Sequence, residues 1–118
     1  MTETVLGWMT LSTHVLDAGR GRPAVGVPVS LYCRSGDEWA LLGTGLTDSD
    51  GRVGGLAPDG LVAGVHRLDF DTGAYFASSG QTGFYPEVRI TFEVVDSDQH
   101  YHVPLLLSPY AFSTYRGS

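Results

Sequence analysis

Apolar and polar residues alternate along most of this chain. Val88, Ile90, Phe92 and Val94 alternate with Arg89, Thr91, Glu93 and Val95, the period-two pattern of a strand with one buried face. Val27, Val29, Leu31 and Cys33 alternate in the same way with Pro28, Ser30, Tyr32 and Arg34. Met9, Leu11, Thr13 and Val15 alternate with Thr10, Ser12, His14 and Leu16. Further strands are predicted over 38–46, 64–70, 100–107 and 110–115. Turn-forming clusters separate them: Ala18-Gly19-Arg20-Gly21-Arg22-Pro23, Ser35-Gly36-Asp37, Ser49-Asp50-Gly51 and Pro58-Asp59-Gly60. Short strands at this spacing predict an all-β antiparallel sandwich. The stretch 71–81 (DTGAYFASSGQ) has no period of two, and its small residues predict one short helix. With no internal repeat or linker, residues 1–118 read as a single domain, with 1–8 as a flexible lead-in.

Strand parity places the candidate chemistry. Met9, Leu11 and Val15 claim the core, so His14 points away from it. Tyr101, Val103 and Leu105 share one face, and His100, His102 and Pro104 the other. The outward faces therefore carry histidines, but also Leu16 and Leu106, and this polar–apolar mixture suggests an oligomer interface. Taken singly, His14 reads as a surface strand residue and Arg52 as a solvated residue after a turn. His100 and His102 have a spacing two metal ligands could use, but with no cysteine nearby and no clear third ligand, no metal is expected. His66 reads as a surface or interface histidine. Cys33, in register with Val27, Val29 and Leu31, reads as a small buried hydrophobe.

Composition narrows the class. The chain has 118 residues with 16 glycines and no collagen-like period, enough for one globular core. A net charge of −6 argues against a nucleic-acid partner. No long uncharged apolar run suggests a membrane span. The acidic start Met1-Thr2-Glu3-Thr4 does not resemble a secretory leader, and the lone cysteine excludes an intrachain disulfide. Together these favour a cytoplasmic protein. The terminal Tyr115-Arg116-Gly117-Ser118 follows a rigid-looking run, Tyr101 to Tyr110 (YHVPLLLSPY). Its hydroxyl and carboxylate would suit a polar site.

Several segments form one pattern: LSTHVLD at 11–17, Gly21-Arg22-Pro23-Ala24, Asp50-Gly51-Arg52, Phe84-Tyr85-Pro86-Glu87-Val88, HYHVPLLLSP at 100–109 and STYRGS at 113–118. From about residue 9 to the end the chain closely resembles the 5-hydroxyisourate hydrolases, the transthyretin-related enzymes of urate breakdown. LSTHVLD and the terminal YRGS are the specific signals, whereas Asp-Gly alone is simply a good turn. The resemblance implies a transthyretin-like (prealbumin-like) sandwich of two four-stranded sheets with one short helix. It implies a homotetramer, a dimer of dimers, with active sites between dimers, and a cyclic amide hydrolase using neither cofactor nor metal. It maps catalytic roles onto His14, Arg52, His102 and Ser118, and substrate binding onto His14, Arg52, Tyr115, Arg116 and Ser118. The substrate would be a small purine derivative.

These residue types suit the chemistry. A histidine titrating near pH 6.5 can take a proton from water, though sequence leaves open whether His14 or His102 does so. A planar guanidinium can grip a urate-like edge with paired donors. The competing expectations are a transthyretin-type small-ligand carrier without catalysis and a sandwich module for protein recognition. Neither needs the His, Arg and terminal Ser set.

Overall fold

The computed structural model describes residues 10–117; Met9 and the predicted flexible lead-in at 1–8 lie outside the described residues, as does Ser118. Strand β1 (Leu11–Asp17) alternates buried and half-buried residues along its whole length. Leu11, Thr13, Val15 and Asp17 face inward and Ser12, His14 and Leu16 outward. The other strands are β2 (Arg22–Pro23), β3 (Pro28–Ser35), β4 (Glu38–Leu46), β5 (Arg52–Gly54), β6 (Gly64–Phe70), β7 (Val88–Val94), β8 (Tyr101–Ser108) and β9 (Ala111–Thr114). One helix, α1 (Thr72–Ser78), lies between β6 and β7.

The strands form two sheets. One has the order β2-β1-β8-β9, with β5 also paired to β1; the other has the order β4-β3-β6-β7. The described residues therefore adopt the predicted sandwich with one short helix, with two refinements. The first sheet gains β5 as a fifth strand, because one edge of β1 is shared end to end: β5 pairs with Ser12 to His14, and β2 with Leu16 and Asp17. In addition, β1 and β8 run parallel, while all other pairings among the described residues are antiparallel. Parallel neighbours need a long crossover, supplied here by the whole second sheet and the helix.

The core lies between the sheets. Leu11, Val15, Leu105 and Leu107 from one meet Val29, Leu31, Leu68, Phe70 and Val88 from the other, each at most 1% exposed. At Gly43 the layers approach so closely that a Cβ would collide with the Leu56 carbonyl. A seven-residue helix is too short to persist alone. Here Asp71 caps it by accepting from the Ala74 amide at 3.0 Å, while Tyr75 and Phe76 bury into the core.

Two expectations need correcting. His66 is not at the surface: it is 0% exposed, because the β6 alternation places it inward with Leu68 and Phe70. Its ring stacks on Phe92 at 5.8 Å between centroids, with Nδ1 3.1 Å from the Gly64 carbonyl oxygen. Burial pushes its pKa down. Cys33 is half-buried rather than part of the core. The close-packed run of β3 ends at Leu31, where β4 carries a bulge, and the strand then runs out into the exposed Arg34 and Ser35.

The polar residue buried at the end of β1 ties the helix to the first sheet. Asp17, 0% exposed, accepts from Tyr75 Oη at 2.6 Å, from the Arg20 amide at 2.9 Å and from Gln81 Nε2 at 3.2 Å. Burial pushes the Asp17 carboxyl up, but those bonds together hold it below the usual 3.8. Burial and then the neighbouring carboxylate push the Tyr75 hydroxyl up to about 12. A carboxyl depressed in the folded state stabilises it above the unfolded pKa, and that stability is lost as pH falls through the folded value. Tyr75→Phe, which takes one donor from a buried carboxylate, is expected to cost about 1–3 kcal/mol at pH 7. In denaturant titrations the gap to wild type should narrow below pH 3.8, as the carboxyl protonates.

Candidate active site

The outward face of the first sheet gathers the titratable residues. Parallel pairing of β1 with β8 puts Ser12 directly beside His102, and His14 beside Pro104. Antiparallel pairing of β1 with β5 puts Arg52 beside His14. Three strands distant in sequence thus bring His14, Arg52 and His102 onto one face, with His100 just ahead of β8. His14 and His102 are half-buried and Arg52 is exposed.

Arg52 is presented by the turn before β5. Asp48 Oδ1 accepts from the amides of Asp50 at 2.9 Å and Arg52 at 3.0 Å. The Asp48 amide donates to the Arg52 carbonyl at 2.9 Å, and the Gly51 amide to the Asp48 carbonyl at 2.9 Å. The bonds from the Arg52 and Asp50 amides hold the Asp48 carboxyl below its usual range. Gly51 has φ +76°, and a Cβ there would lie 2.5 Å from the Val15 carbonyl oxygen. The Asp-Gly-Arg order therefore has a backbone reason as well as a chemical one: only glycine lets the turn close against β1.

His102 is held on two sides. Its Nδ1 lies 2.8 Å from Ser12 Oγ. On the other side the C-terminal segment docks on it: the Gly117 amide donates to the His102 carbonyl at 2.8 Å, and a Cβ at Gly117 would sit 2.5 Å from His102 Cδ2. Burial is the main influence lowering the His102 pKa below 6.5, followed by the Arg52 guanidinium and then the neighbouring His100 and His14, with a bond to the Ser12 backbone opposing them. The imidazole is therefore mostly neutral at pH 7, with a lone pair to offer.

The terminal residues separate. Arg116 lies over the Tyr101 ring, 4.7 Å from its centroid, and donates to Gln99 Oε1 at 2.9 Å. Tyr101 projects from β8 on the side opposite His102. There Tyr115 and Arg116 line a largely apolar cavity of about 220 Å³ with Ile90, Phe92 and Val103. The Arg116 side chain thus pins the C-terminal segment down rather than joining the histidines, and Gly117 is what meets His102. Ser118 follows it, outside the described residues. Ser12 escaped sequence reasoning although the signal was present: it has the same strand parity as His14, two residues away. Among the described residues no group of three or more His, Cys, Asp or Glu is arranged to hold a metal ion.

Comparison with known proteins supplies context for this face. The family model described as "HIUase/Transthyretin family" matches residues 11–117. A Salmonella dublin 5-hydroxyisourate hydrolase is 48% identical over 109 residues, covering 92% of this chain and 80% of that protein. The solved structure of Klebsiella pneumoniae 5-hydroxyisourate hydrolase matches with a TM-score of 0.79 at 39% identity, covering 92% of this chain and 97% of the other. Transthyretin from Sparus aurata matches with a TM-score of 0.83 at 32% identity, with the same coverage of both chains. Backbone similarity alone therefore does not separate the hydrolase from transthyretin, and the side chains on the outward face must.

The electrostatics of that face predict a titration. In histidine NMR spectra His102 should titrate below 6.5. In Arg52→Gln its pKa should rise, because a cation that disfavours the imidazolium has gone, yet stay below 6.5, because burial is the larger cause. An unchanged value in the variant would mean that Arg52 does not act on His102.

Proposed function

Because the chain belongs to the HIUase/Transthyretin family, we propose that it hydrolyses 5-hydroxyisourate to 2-oxo-4-hydroxy-4-carboxy-5-ureidoimidazoline in urate breakdown. The observation that carries this reading is the His102 environment: an imidazole kept neutral, gripped through one ring nitrogen, and set on one face with Arg52 and His14. A passive apolar channel for a carried ligand needs none of these.

Water attacks the C6 carbonyl of the flat, oxygen-rich substrate. His102 takes the proton as the oxygen–carbon bond forms. The carbonyl oxygen gathers negative charge, which Arg52 stabilises while its guanidinium grips the substrate edge. The C6–N1 bond then breaks, its electron pair stays on nitrogen, and the proton held by the histidine passes to that nitrogen. His14, beside Arg52, binds the substrate and orients the leaving side. Ser118 positions the water through its hydroxyl, and Tyr115 and Arg116 hold the segment that delivers it. The chemistry asks for neither cofactor nor metal.

The outward face is open in one chain and mixes Leu16 and Leu106 with the histidines. A second copy closing over it would exclude water and strengthen every charge interaction there. This supports a homotetramer built as a dimer of dimers, with sites between the dimers. No described helix is long and apolar enough to cross a membrane, and the half-exposed free thiol of Cys33 suits the reducing cytoplasm.

The test is to generate 5-hydroxyisourate in place with a urate oxidase and follow its decay spectroscopically. The wild-type protein should accelerate decay over the spontaneous rate. His102→Asn should lose roughly 10²–10⁴-fold as a general base, and Arg52→Gln roughly 10²–10³-fold. Deleting residues 116–118 should abolish turnover and leave the sandwich folded. Activity should fall as pH drops through the His102 pKa, below 6.5. No acceleration by the wild type would favour the carrier reading.

A further inference from the structure

Ser12 has one hydroxyl proton and two imidazole nitrogens to serve. Its Oγ lies 2.8 Å from His102 Nδ1 and 3.3 Å from His100 Nε2. The two ring planes are nearly parallel, 15° apart with centroids 6.5 Å from one another. A hydroxyl donates once, so two arrangements carry its proton to one of the two imidazoles while both histidines are neutral. In one, His102 Nδ1–H donates to Ser12 and Ser12 donates to His100, leaving His102 Nε2 bare. In the other the chain runs backwards, and His102 carries its proton on Nε2.

We propose that Ser12 is a positioning residue that accepts from His102 Nδ1–H and donates to His100 Nε2, locking His102 into the tautomer whose Nε2 is a free base. The shorter contact is the one to His102. Among the described residues, the charged and titratable groups facing His102 are Arg52 from β5, His14 from β1 and His100 from its own chain segment. The Arg52 guanidinium is a donor only, so the cationic side of this site favours a lone pair on the outer nitrogen over an N–H. The C-terminal segment meets the ring along Cδ2 and Cγ, which fixes its plane and leaves Ser12 to choose the tautomer. His100 thereby acquires a role as the acceptor of the Ser12 proton rather than as a metal ligand. No proton need travel along this chain during turnover, because its work is done before substrate arrives.

The kinetic half of this inference rests on the hydrolytic reading; the spectroscopic half does not. The experiment combines two-dimensional ¹⁵N–¹H histidine spectra of the wild type, Ser12→Ala and Ser12→Thr with steady-state kinetics across pH. Wild-type His102 should show the Nδ1–H tautomer above its pKa. Ser12→Ala should lose that single tautomer and drop roughly 10- to 100-fold in kcat, with KM little changed. Ser12→Thr, which keeps a hydroxyl, should restore the tautomer and most of kcat. An Nε2–H tautomer in the wild type overturns the proposal whatever the kinetics, and so does Ser12→Ala with unchanged spectrum and kcat. A wild type that fails to turn over 5-hydroxyisourate refutes the hydrolytic reading, while the tautomer result still decides the role of Ser12. The same spectra report whether Ser12→Ala is folded; should it not be, the wild-type tautomer and Ser12→Thr decide.

Discussion

The register of β1 on β8 is the constraint on which the rest of this structure depends. Leu11 to Asp17 pair in parallel with Tyr101 to Leu107 without a break. In-register parallel strands put equal positions on the same face, so this one alignment sends Leu11, Val15, Leu105 and Leu107 into the core and Ser12, His14 and His102 outward. A slip of one residue would reverse both sets at once. The core's demand for apolar contacts therefore also holds the polar cluster together. The alignment is reinforced from inside, where Thr13 Oγ1 donates to the Val103 carbonyl and Asp17 gathers Tyr75, Gln81 and the Arg20 amide.

The two remaining parts of the site are added to that pair from opposite ends of the chain's course. Arg52 arrives through a turn that only glycine can close, with Asp48 clasping its backbone. The C-terminal segment arrives by following β9 along β8, with Thr114 Oγ1 donating to the Pro104 carbonyl at 2.7 Å and Gly117 docking on His102. Arg116 and Tyr101, on the reverse side of the strand, act as the fastening. The terminal motif thus divides its labour. Arginine secures the segment, and glycine permits contact with the ring.

Sequence alone made much of this visible because period-two alternation is strong where a strand has one buried face. The strands predicted over 38–46 and 64–70 appear with those bounds, and the helix predicted in 71–81 spans Thr72–Ser78. The outward placement of His14 and His102 followed from parity. Other features depend on interactions that local pattern does not encode. The two-residue β2 and three-residue β5 are too short to show a period. The parallel sense of β1 and β8 is a property of the crossover, not of either strand. His66 reads as a surface or interface residue from its polarity, although its alternation with Leu68 and Phe70 assigns it to the core. Cys33 kept the right parity but lies beyond the end of the packed layer. The outward parity of Ser12 is legible beside His14, but its partner His102 is not, because that depends on the register of β1 on β8.

The central claim is that the outward face of the first sheet, and not the apolar cavity on its reverse, is where the substrate is handled. A crystal structure of the protein with a non-hydrolysable, urate-shaped purine analogue tests this most directly. The account predicts the analogue against Arg52, with His14 and His102 within hydrogen-bonding reach and a second copy of the chain closing over them. An analogue seated instead among Ile90, Phe92 and Tyr115, with the histidine face empty, would contradict it.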